Sequence, residues 1–133
     1  MQRKNVIFSV MSTRPEDLYQ ALSDAYNAGN LEAVLSFYDP KAVFVIKPSR
    51  VTEGPEELRA AVQHVIDLRG PLTVNPQIFI RSDDLVLVLG TFTLSGRRHD
   101  GTAFERTARF ADVLRRQPGG RWLVAVDNPC AGD

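Results

Sequence analysis

Beyond residue 71 the chain is almost entirely extended, and this constrains the fold more than any other feature. Four stretches, Leu72 to Ile80, Leu85 to Ser95, Thr102 to Arg116 and Arg121 to Asn128, are parted only by Ser82-Asp83-Asp84, Gly96 to Gly101 and Gln117-Pro118-Gly119-Gly120. Turn sequences this short send each strand back along the one before, so an antiparallel meander is expected. The second stretch narrows the choice. Leu85, Leu87 and Leu89 lie on one face of it, and Val86, Val88, Phe92 and Leu94 lie on the other. A strand that is apolar on both faces leaves neither for water. Helices are expected to cover the first face and a partner subunit the second.

The helices come first in the chain. Thr13 and Glu16 have capping-box spacing around Pro15, and Leu18, Leu22, Ala25 and Tyr26 recur on one helical face as far as about Gly29. Asn30 is placed to cap a second, short helix whose Leu31, Val34, Leu35 and Tyr38 share a face, with Asp39-Pro40 as its stop. Val43 to Ile46 and a piece near Val51 read as small strands. Gly54-Pro55 opens a third helix, with Glu56 and Glu57 in its first turn and Leu58, Ala61, Val62, Val65 and Ile66 on its apolar side, and Gly70-Pro71 closes it. The fold class is α+β: three N-terminal helices against a curled, mostly antiparallel sheet. Residues 13–133 read as one domain, and residues 1–12 as a flexible extension in which Met11 is an alternative start.

Charge and composition exclude several functions. Sixteen Lys and Arg balance sixteen Asp and Glu, so no net field favours nucleic acid or an anionic membrane. Seven basic residues lie between Arg97 and Arg121, but strand alternation divides them between faces and no aromatic platform accompanies them. The apolar run Val6 to Val10 is too short for a signal-peptide core or a membrane span, and Cys130 has no intramolecular cysteine to pair with. A cytoplasmic setting is expected. His64 and His99 fit no metal-ligand spacing, and neither a phosphate loop nor a nucleophile elbow occurs, so no metal or cofactor is expected.

The segment YNAGNLEAVLSFYDPKAVF, the Gly-Pro-initiated helix and the ending DVLRRQPGGRWLVAVDNP resemble the nuclear transport factor 2-like superfamily over about residues 13 to 130. The resemblance implies a sheet curled into a cone around a pocket plugged by helices. That superfamily includes ketosteroid isomerase, SnoaL-like polyketide cyclases, scytalone dehydratase and non-catalytic association domains, so the fold alone does not select a reaction. Of the isomerase's site residues, the oxyanion aspartate corresponds to Asp112. The tyrosine position holds Leu22, and the aspartate base falls at Val45, or at Lys47 if Pro48 anchors the alignment. Isomerisation by that mechanism is therefore not expected.

A hairpin closed by Arg116 and Arg121 sets Asp112 opposite Ala125 and makes Asp127 its diagonal neighbour, about 7 to 8 Å away on the same face. In an apolar cone, desolvation and mutual repulsion would raise the pKa of at least one carboxyl, suiting it to act as acid or base. Alternatively, each simply accepts hydrogen bonds from an Arg, a Tyr or a backbone N–H. Arg106 shares that face about 20 Å along the strand and either clamps an anionic or carbonyl group of a ligand or reaches solvent or an acidic neighbour. The expected lining is Leu22, Tyr26, Val45, Phe104, Arg106, Phe110, Asp112, Ala125 and Asp127, around a small, largely apolar molecule.

Two functions follow from this. One is cofactor-free proton transfer by Asp112 and Asp127, as in a cyclase, isomerase or dehydratase. The other is a non-catalytic ligand-binding or association module. A homodimer through the outer sheet face is expected, with Val86, Val88, Phe92, Leu94, Val113, Trp122, Val124 and Val126 forming the patch.

Overall fold

The computed structural model describes residues 14–133. The expected extension over residues 1–12 and the Thr13 cap lie outside the described residues. Helix α1 (Pro15–Asn27) starts from an extended Arg14 that makes no side-chain cap hydrogen bond, with Pro15 in its first turn. Leu18, Ala21, Leu22 and Ala25, three and four residues apart, form its buried stripe. Gly29, at φ 67°, reverses the chain, and Asn30 caps α2 (Leu31–Leu35) by accepting the Ala33 N–H at 3.0 Å.

Helix α2 ends sooner than its apolar spacing suggests. Tyr38, Asp39 and Pro40 belong to strand β1 (Tyr38–Lys47). The Phe37 carbonyl accepts from the Val124 N–H at 2.8 Å, so the chain is drawn into the sheet before another helical turn can form. Strand β2 (Arg50–Val51) folds back on β1, and α3 (Gly54–Asp67) follows with Pro55 in its first turn.

The meander is β3 (Leu72–Ser82), β4 (Leu85–Arg97), β5 (Ala103–Arg116) and β6 (Trp122–Asp127), closely as the turn sequences indicate. The sheet order is β2-β1-β6-β5-β4-β3; β1 runs parallel to β6 and every other pair is antiparallel. Leu18, Leu22, Leu58 and Val62 of α1 and α3 share a core with Val86, Val88, Phe110 and Leu114 of the sheet. The fold class is the expected one.

The two faces of β4 are the reverse of the expected assignment. Val86 and Val88 are fully buried beneath the helices, and Phe92 packs on the same core. Trp122 and Val124 are core residues as well. The outer face instead carries a row of paired residues across five strands, Ile80, Leu87, Val113, Val126 and Val43. Alternation defines two faces, but when both are apolar it cannot say which one the helices take. Among the described residues no helix is long and apolar enough to cross a membrane.

Candidate functional site

β5 and β6 build the floor of the site. Their register is Arg116 with Trp122 and Leu114 with Val124, then shifts so that Val113 meets Val126. Ala125 is the extra residue of this bulge. The next step sets Asp112 against Asp127 rather than against Ala125, and the Ala111 N–H to Asn128 carbonyl bond, 3.0 Å, continues the same offset. Parallel pairing then brings Phe44 of β1 beside Asp127.

Asp112 is 4% exposed. Its Oδ2 accepts the Tyr19 hydroxyl and its Oδ1 the Asn128 N–H, each at 2.9 Å. Asp127 is partly buried. Its Oδ2 accepts the Tyr38 hydroxyl at 2.5 Å, and the Tyr38 and Tyr26 hydroxyls share a hydrogen bond of 2.9 Å. The Oδ1 of Asp127 has no hydrogen bond among the described residues, which leaves one carboxylate oxygen for a ligand.

Burial, and then the charge of Asp127, push the Asp112 carboxyl well above the usual carboxylate range, against hydrogen bonds from Asn128 and Tyr19. Burial pushes Asp127 up to about 6, opposed by the Tyr38 hydroxyl. Two carboxyls facing each other in a largely apolar site do not both ionise readily, so the pair keeps one proton to higher pH than an isolated carboxyl would. Burial also raises the pKa of Tyr19, Tyr26 and Tyr38, keeping these hydroxyls neutral donors.

Above this floor lies a cavity of about 610 Å³, within the size range of small-molecule sites. Of the residues expected around it, Leu22, Tyr26, Phe104, Arg106, Phe110, Asp112 and Asp127 line it. Val45 and Ala125 do not. Phe44 takes the place expected of Val45, because alternation along β1 turns its neighbour outward, and Ala125 is buried in the bulge. Tyr19 and Tyr38 were not among the expected site residues. Tyr19 precedes Leu22 by three and Tyr26 by seven, which places all three on one helical face. Tyr38 gave no such signal, since its apolar spacing assigned it to a helix. Among the described residues no three His, Cys, Asp or Glu side chains gather around a point that a metal ion could occupy.

The SnoaL-like domain model matches residues 19–125. The chain belongs to the SnoaL-like domain family. The comparison with curated proteins gives no match. A ketosteroid isomerase-like protein from Erwinia carotovora atroseptica SCRI1043 superposes with TM-score 0.66 at 19% identity, covering 82% of this chain and 89% of that one. A nuclear transport factor 2-like superfamily protein from Salmonella enterica serovar Typhimurium gives 0.64 at 14%, covering 83% and 84%. The association domain of the C. elegans calcium/calmodulin-dependent protein kinase II gives 0.61 at 19%, covering 95% and 92%. At these identities the likeness is one of fold. The SnoaL-like and nuclear transport factor 2-like assignment agrees with the resemblance read from the sequence.

Proposed function

We propose that the cavity binds a small, largely apolar molecule and that Asp112 and Asp127 transfer a proton at it without a cofactor, in the manner of a cyclase, isomerase or dehydratase. The observation that carries this reading is a pair of facing carboxyls, one from each of two adjacent strands, at the floor of an apolar cavity. Asp127, titrating at about 6 with Oδ1 turned to no protein donor, is the base. Asp112, whose carboxyl is pushed towards its protonated form by burial and by the charge of Asp127, is the hydrogen-bond donor to oxygen that gains charge as the proton leaves carbon. Tyr19 and Tyr38 hold the two carboxyls in position.

The test uses 2-tetralone, an apolar ketone with exchangeable protons beside its carbonyl. NMR in D2O follows deuterium uptake at those positions, and binding is measured separately by calorimetry. The expected result is exchange above the buffer rate that falls about 10²-fold or more in Asp127→Asn, the usual contribution of a positioned base. Binding without faster exchange favours the non-catalytic module.

We propose further that a second copy covers the outer face of the sheet. Ile78, Ile80, Leu85 and Leu87 are 50%, 51%, 41% and 37% exposed there, and they adjoin the apolar row through Val113 and Val126. Glu105 and Arg109 lie on this face with opposite charges, which a twofold axis can set against each other.

A further inference from the structure

We infer that the ligand of this cavity is an anion: an apolar body whose acidic group is held by Arg50 and Arg106 at the mouth, with its reacting centre against the aspartate pair. This names a substrate class for the site proposed above and rests on that reading. Strand directions place the two arginines towards the same end of the cavity. β1 runs parallel to β6, so the chain leaves Phe44, beside Asp127, and reaches Arg50 at the far end of the β1–β2 hairpin. β5 is antiparallel to β6, so reading it backwards from Asp112 through Phe110 leads in the same direction to Arg106. Both arginines line the cavity.

Neither is committed to a strong partner. Arg50 makes no hydrogen bond or ion pair among the described residues. Arg106 reaches Asp133 only at 3.4 Å, with both side chains nearly half exposed, and its guanidinium lies over the Phe92 ring at 5.8 Å. An ion pair that long and that exposed is weak and readily exchanged for a ligand anion, whereas the stacked guanidinium remains oriented towards the cavity. Glu57, the acid at the same mouth, accepts the Glu53 N–H at 2.9 Å and is thereby tied to the start of α3.

The charges also fix the ligand's orientation. An acidic group is repelled by the carboxyl floor and attracted to the arginine mouth, so an apolar anion enters in one direction. Six residues of β5, about 20 Å of strand, separate the two ends. Allowing for the reach of the arginine side chain, this suits a molecule of two or more fused or linked rings, and the 610 Å³ cavity accommodates one.

Two fluorescent probes with the same rings test this: 8-anilinonaphthalene-1-sulfonate, which carries the anion, and N-phenyl-1-naphthylamine, which lacks it. Both are titrated into the wild-type protein and into Arg50→Gln, Arg106→Gln and, as a surface control for loss of one charge away from the cavity lining, Arg59→Gln, each first checked for an unchanged melting temperature. The expected result is sulfonate binding about tenfold or more weaker in each mouth variant, with the neutral probe unaffected and Arg59→Gln like wild type. Neutral-probe binding together with sulfonate binding that ignores both mouth arginines overturns the anion inference and leaves the apolar cavity standing. Neutral-probe binding without sulfonate binding likewise overturns the anion inference alone, and failure of both probes to bind overturns both readings.

Discussion

Asp127→Asn is expected to stabilise the protein at neutral and alkaline pH while removing the proposed base. A carboxyl that ordinarily titrates at 3.8 and here titrates at about 6 holds its proton more tightly when folded than when unfolded. The stability that Asp127 contributes is therefore fully present below 3.8 and is lost as pH rises through about 6. At 1.36 kcal/mol per pKa unit the full loss is about 3 kcal/mol, of which about 2 kcal/mol falls between pH 4.5 and 8. Asparagine has no proton to lose and keeps an oxygen for the Tyr38 hydroxyl. Urea unfolding of both proteins at the two pH values gives the difference directly, and titrating groups that do not interact with Asp127 cancel in the comparison. The variant should gain about 2 kcal/mol on wild type between pH 4.5 and pH 8 with an unchanged m-value. A difference independent of pH would show that Asp127 ionises as freely folded as unfolded and that burial does not raise its pKa.

Two further outcomes follow. Tyr38→Phe removes the hydrogen bond that favours the charged form of Asp127, so its titration, followed by carboxyl carbon NMR, should move above about 6. Leu87→Asp places a charge within the outer apolar row, and sedimentation should pass from twice 14.8 kDa in wild type to 14.8 kDa in the variant; a wild-type monomer at micromolar concentration defeats the second-copy proposal.

What the sequence made legible depends on the range over which each signal acts. Gly54-Pro55, Asn30 and the Pro-Gly-Gly turn act within a few residues, and the elements they bound lie where they indicate. Tyr38 was misassigned because its partners, Asp127 and Val124's strand, are distant in sequence. The carboxylate register is the most instructive case. The last hairpin closes on Arg116 and Trp122, one residue beyond the expected Arg116 and Arg121, and the bulge at Ala125 adds another. Each offset alone would have turned Asp127 to the opposite face from Asp112. Together they restore the parity and convert a diagonal pair into a directly facing one. Local sequence does not encode which of two apolar faces the helices choose, so the outer row through Leu87 emerged only from tertiary packing.

In the proposed function the same carboxyl links stability to activity, and that linkage separates an enzyme from a scaffold. A facing pair of buried acids costs stability whenever one ionises, and apolar residues of similar volume would give a firmer floor. An association module has no use for that cost. An enzyme does, because the ionised Asp127 that weakens the fold is the form that accepts a proton. Deuterium exchange on 2-tetralone should therefore rise with pH over the same interval in which stability falls, both centred near the Asp127 titration at about 6. In Asp127→Asn the rate and the pH-dependent part of the stability should disappear together. Exchange that keeps the wild-type pH profile in this variant would place the base elsewhere, and loss of the stability term alone would leave the aspartate pair a buried structural feature of a binding module.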